Sequence, residues 1–104
     1  MADGAAVGLT VRKRIMALLE QGPMTLREMA KELGMKEKEV LGHLPHAIRS
    51  AALSQRVEIS PASCLGCGFV FRKRGRLSTP GKCPMCRSQR IDPPHFKISR
   101  ARED

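Results

Sequence analysis

Along the first half of the chain the apolar positions recur every three or four residues. Val11, Ile15, Leu18 and Leu19 form one such stripe, the spacing that lines side chains along a single face of an α-helix. Thr10 precedes it as a candidate N-cap, and Gly22-Pro23 ends it. A second stripe, Leu26, Met29, Ala30 and Leu33, runs through TLREMAKELG, the best-punctuated segment of the sequence. Thr25 and Glu28 have the spacing of a capping box, and Gly34 supplies a left-handed C-cap. After a turn of one or two residues, Val40, Leu41, Leu44, Ala47, Ile48 and Ala51 trace a third helix. Pro45 sits in its middle, where its ring deletes the bond back to the Leu41 carbonyl, and Gly42 weakens the same turn. The expectation there is a kink, or a stop at Leu44 with Pro45 opening a new segment.

The period then changes. RVEIS alternates Val57 and Ile59 with Arg56 and Glu58, the pattern of a half-buried strand. FVFRK and HFKIS read as further short strands between Gly- and Pro-rich turns. Residues 1–8 and 101–104 are expected to be loose tails. Helix, capped helix, tight turn and third helix match the helix-turn-helix plan, so the fold class is α+β. Residues 9–60 form the helical unit, and 61–100 a small antiparallel-β unit.

Length changes this picture, because 104 residues make one ordinary domain or two very small ones. Units of half that size bury too little surface to be stable without a staple. The sequence has no Trp or Tyr and only three Phe, so aromatic packing cannot supply one. Four cysteines can. Cys64-x-x-Cys67 and Cys83-x-x-Cys86, fifteen residues apart, have zinc-site spacing. Each pair lets one turn aim two sulfurs at one ion, and four thiolates leave no open coordination position, which marks one structural Zn2+. Gly68 follows the first knuckle directly, Pro84 pre-sets the second, and Arg87 stands where a second glycine is expected, predicting a less regular turn.

Two disulfides would need an oxidising compartment, and a thioredoxin-like centre would need a βαβ setting that is absent. CLGCG and CPMC resemble the knuckles of rubredoxins, which hold iron. That resemblance stops at the knuckles, since this chain is basic and poor in aromatic residues.

Charge is unevenly spread. Residues 1–60 carry nine Lys/Arg against seven Asp/Glu, and residues 61–104 carry ten against three. Four thiolates around a divalent ion lower the second half's net charge to about +5, still an excess that favours polyanions. No apolar run reaches the roughly 18 residues of a membrane span, and the N-terminus lacks the charge order of a secretory signal. A cytoplasmic chain with no membrane partner is expected.

TLREMAKELGMKEKEVLGHL resembles the winged helix-turn-helix domains of the arsenical-repressor class. Leu26, Ala30, Leu33, Gly34, Val40 and Leu44 stand at packing and turn positions of those domains. From Thr10 to Ser99 the chain resembles a small family of predicted regulators that join such a domain to a zinc ribbon. The resemblance implies a recognition helix whose start exposes Lys36, Glu37, Lys38 and Glu39, followed by Gly42, His43 and His46. Lys36 occupies a position where the family usually has a hydroxyl cap, Glu37 and Glu39 oppose phosphate, and Pro45 shortens the reading helix. Winged helices also pair through their first helix, so a homodimer is among the expected partners.

The expected function is transcription regulation by binding double-stranded DNA. The metal would fix both ends of the loop that carries Arg72, Lys73, Arg74 and Arg76, and that loop would meet phosphate. The alternative is an interaction module for protein or RNA in a transcription or translation assembly. The strands near Val57–Ile59 and Phe96–Ile98 can form the wing, with the ribbon inserted as its enlarged tip; otherwise the ribbon is appended to a finished wing. The conspicuous residues also have plainer readings. Met16, Met29 and Met35 fill a core, His43 and His46 lie on a solvated face, Lys36–Glu39 is a salt-bridged surface, and Phe69 and Phe71 are core rather than a stacking platform. No nucleophilic constellation or phosphate loop is present, so no enzyme is expected. A closed tetrathiolate also argues against metal sensing.

Overall fold

The computed structural model describes residues 4–72 and 77–100. Three helices come first: α1 (Gly4–Gln21), α2 (Leu26–Leu33) and α3 (Glu37–Ala52). Four strands follow: β1 (Gln55–Ser60), β2 (Ser63–Cys64), β3 (Ile91–Asp92) and β4 (His95–Arg100). The chain is α+β.

α2 is the element its local chemistry specifies most fully. The Thr25 hydroxyl accepts from the Glu28 amide at 3.2 Å while the Glu28 carboxylate accepts from the Thr25 amide at 2.9 Å. Both donors belong to the set a helix start leaves unpaired. Gly34 closes the helix at φ 67°, the left-handed region that glycine enters without strain. At α3 only half of such a box forms. The Lys36 amide donates to the Glu39 carboxylate at 3.1 Å, but Lys36 has no oxygen to return the bond.

Two helical expectations need correction. α1 starts at Gly4, so Thr10 lies inside the helix and not at its cap. The tail expected over 1–8 is therefore helical from Gly4 onward; residues 1–3 and 101–104 lie outside the described residues. Ala5 and Ala6 have the highest helix propensity, and Gly8 costs only about 1 kcal/mol. α3 also continues past Leu44 and Pro45 to Ala52, so the stop expected at Leu44 does not occur. Pro45 stands on the exposed side of the helix, while Val40, Leu44, Ala47 and Ala51 are buried on both sides of it. Their burial offsets the one missing bond.

β1 and β4 pair antiparallel with Val57 opposite Ile98, Ile59 opposite Phe96 and Ser60 opposite His95. Phe96 also exchanges backbone bonds with Met24, at 2.9 and 2.8 Å, which ties the sheet to the α1–α2 turn. Phe96 and Ile98 are fully buried in the same core as Ile15, Leu19, Met29, Val40 and Leu44. Residues 61–94 thus leave the sheet at its Ser60–His95 end and return there. The division expected at residue 60 runs through this sheet, because β4 supplies two core side chains of the helical unit.

Within 61–94, β2 pairs antiparallel with β3 through Ser63–Asp92 and Cys64–Ile91. Residues 69–72, the described part of FVFRK, do not form a strand. Val70 makes a single bridge to Ser63, and the Arg72 amide turns back to the Val70 carbonyl at 3.1 Å, a three-residue turn that ends extension.

Candidate metal centre

Each cysteine pair sits on a tight turn, and the two turns repeat one bonding pattern. The Cys64 amide donates to the Phe69 carbonyl at 2.7 Å, and the Cys83 amide to the Ser88 carbonyl at 2.9 Å. The Gly68 amide returns to the Cys64 carbonyl, and the Arg87 amide to that of Cys83, both at 2.9 Å. The Gly66 amide donates to Cys64 Sγ at 3.3 Å, and the Met85 amide to Cys83 Sγ at 3.4 Å. Gly68 has φ 83° and Arg87 φ 62°. The second turn is therefore as regular as the first, contrary to expectation. Arg87 absorbs the left-handed strain that Gly68 avoids. Its position, directly after the second C-x-x-C, was the available signal.

The four sulfurs lie within 4.8 Å of one another, with Cys64–Cys86 at 3.5 Å and Cys67–Cys83 at 3.7 Å. A tetrahedron of zinc–sulfur bonds of about 2.3 Å has edges of about 3.8 Å. The residues fit the ion. Cys64 and Cys83 are buried, while Cys67 and Cys86 are exposed.

The thiols hold their protons unequally. Burial opposes ionisation of Cys64, but the amides of Cys67 and Gly66 and the thiols of Cys86 and Cys83 outweigh it and bring Cys64 down to about 6. At Cys67 the Phe69 amide favours the thiolate, yet burial and the other three thiols push it up to about 12. Cys83 is lowered: burial opposes the thiolate, and the amides of Cys86 and Met85 with the Cys67 thiol overcome that. Cys86 is raised: the Ser88 amide favours the thiolate, and the Cys64 thiol and burial overcome that. Four thiolates this close repel one another, so full ionisation requires a cation between them.

Residues 61–101 match the PF0610 rubredoxin-like zinc β-ribbon domain, and residues 10–57 match the PF0610-like N-terminal domain. The chain belongs to the PF0610-like family. The solution NMR structure of protein PF0610 from Pyrococcus furiosus is similar to it with a TM-score of 0.74 and 31% identity, over 97% of this chain and 95% of that one. No curated protein matches the chain. The PF0610-like ribbon holds one structural zinc through Cys64, Cys67, Cys83 and Cys86, which keeps the knuckles facing each other.

The other expected site residues are dispersed. Lys36, Glu37 and Lys38 are exposed at the start of α3, His46 is exposed in its middle, and His43 is half-buried. Arg72 is exposed in the ribbon; Lys73, Arg74 and Arg76 lie outside the described residues. Phe69 and Phe71 are half-buried and meet edge to face, with ring centres 5.0 Å apart. Among the described residues no helix is long and apolar enough to cross a membrane.

Proposed function

We propose that this protein is a transcription regulator that binds duplex DNA, with α3 as the reading helix and the zinc ribbon as a phosphate-binding extension of a winged helix-turn-helix. One observation carries this reading. Residues 61–91 contain seven Lys/Arg and no Asp or Glu, and this segment springs from the strand pair that packs beside α3. A zinc-closed unit with a net excess of positive charge is a rigid binder of polyanions. On the exposed side of α3, Lys36, Lys38 and His46 are the contacts to bases or phosphate. His43 stands at the edge of that side. Glu37 is suited to accept from cytosine N4. The chain acts as a binder and not as a catalyst, with its cysteines committed to structure.

The test is fluorescence polarisation on a labelled duplex across a salt series. Every phosphate that the protein no longer neutralises reduces the slope of log K against log salt by about 0.9. Replacing Arg72, Lys73, Arg74 and Arg76 with Ala is expected to flatten the slope by about that amount for each side chain that meets a phosphate. An unchanged slope removes the ribbon from the interface. A second reading, a protein-docking module, draws on Leu53, Leu65 and Met85, which are 87%, 61% and 70% exposed. It predicts no preference for duplex DNA over single-stranded RNA.

A further inference from the structure

A groove of about 610 Å³ runs between α3 and the base of the ribbon. Leu41, Pro45 and Ile48 form one wall, and Ile59 of β1 with Leu77 of the ribbon form the other. Ile59 is 45% exposed although its register partner Phe96 is wholly buried. Ile59 and Leu77 also line a second lobe of about 400 Å³, together with Phe71, Pro94 and Arg72. Among the described residues, Arg49 is the one charged residue lining the first lobe and Arg72 the one lining the second, and no Asp or Glu lines either. Each lobe thus combines a mainly apolar lining with one arginine.

Pro45 bears on the purpose of this surface. A proline inside a helix deletes a backbone bond and leaves the Leu41 carbonyl without its helical donor. Pro45 is exposed and takes no part in the core. What it does line is this wall, beside Leu41.

We propose that the groove binds an amphipathic carboxylate: an unbranched apolar chain of medium length ending in a carboxylate. The lobes have the size and apolar lining of small-ligand sites. A guanidinium fork matches a carboxylate in two parallel bonds. A phosphodiester backbone has no apolar body to lay on Ile48, Ile59 and Leu77. An alkyl chain with a carboxylate end satisfies both features. It would also bridge α3, β1 and the ribbon, three elements whose relative placement any reading by α3 depends on. The proposal goes beyond the DNA reading and is independent of it.

The experiment is titration of the zinc-loaded full chain with decanoate below its micelle-forming concentration, without DNA, followed by methyl NMR. Saturable shifts at Leu41, Ile48, Ile59 and Leu77 are expected. Replacing both guanidiniums (R49Q/R72Q) is expected to weaken binding about tenfold, the loss of a charge-assisted pair, with helix content unchanged by circular dichroism. Decyltrimethylammonium, with the same tail and the opposite charge, is expected to bind at least about tenfold more weakly than decanoate. The absence of saturable shifts, or equal binding of the two amphiphiles, overturns the proposal. The second comparison uses unmodified protein and stands even if the double variant misfolds.

Discussion

The register of β1 and β4 allows the ribbon to be cut out cleanly. Ser60 and His95 face each other at the end of the ladder, so an Asn-Gly pair joining them forms a two-residue hairpin turn with the native twist. The shortened chain keeps Phe96 and Ile98, which are 0% and 1% exposed. A chain of residues 1–60 loses both. Deleting a buried Phe costs about 3–5 kcal/mol and a buried Ile about 2–5 kcal/mol, before the Met24–Phe96 bonds are counted. Units of this size have only about 3–5 kcal/mol in hand. Residues 1–60 alone are therefore expected to be unfolded, whereas the hairpin-closed chain folds and melts cooperatively with or without chelator. Far-UV circular dichroism against temperature, with EDTA added in parallel, measures both. Cooperative melting of residues 1–60, or a hairpin-closed chain that stays unfolded, would refute the assignment of β4 to the helical core.

The two knuckles predict opposite responses to complementary substitutions. Arg87→Gly relieves a left-handed residue, about 1–2 kcal/mol, less the backbone freedom glycine adds, about 0.5–1 kcal/mol, so the ribbon should gain about 0.5–1 kcal/mol in a thermal or denaturant melt. Gly68→Ala should lose about 1 kcal/mol through φ alone, because an added Cβ there meets nothing within 4 Å. Zinc affinity should fall as pH falls. The ion must displace the protons of Cys67, at about 12, and of Cys86 at neutral pH, and that of Cys64 as well below about 6. Chelator competition from about pH 8 to about pH 5.5 should give a steepening loss, and a flat profile contradicts the proton assignment. Cys83→Ser, at a fully buried ligand, should abolish stoichiometric zinc and the order of the ribbon in NMR spectra.

Features built from neighbouring residues were readable in the sequence. Thr25, Glu28 and Gly34 lie within ten positions, and their caps form as their chemistry dictates. The four cysteines were equally clear, since C-x-x-C spacing fixes how two sulfurs point whatever surrounds them. The path through Pro45 depends on packing, and local propensity does not report which faces are buried. Arg87 shows a related limit: its left-handed φ is imposed by the metal turn against the preference of the residue. The groove was not readable at all, because Leu41, Ile59 and Leu77 meet only after the chain has folded back on itself.

That chain path sets an order in time. During synthesis the three helices and β1 emerge first, yet their core stays open until Phe96 arrives, more than thirty residues after Ser60. Closing so long a loop is entropically slow. An ion captured by Cys64, Cys67, Cys83 and Cys86 draws the loop's two arms together before β4 is made. Scarcity of metal would then be felt first in how quickly the helices lock, at a distance from any sulfur.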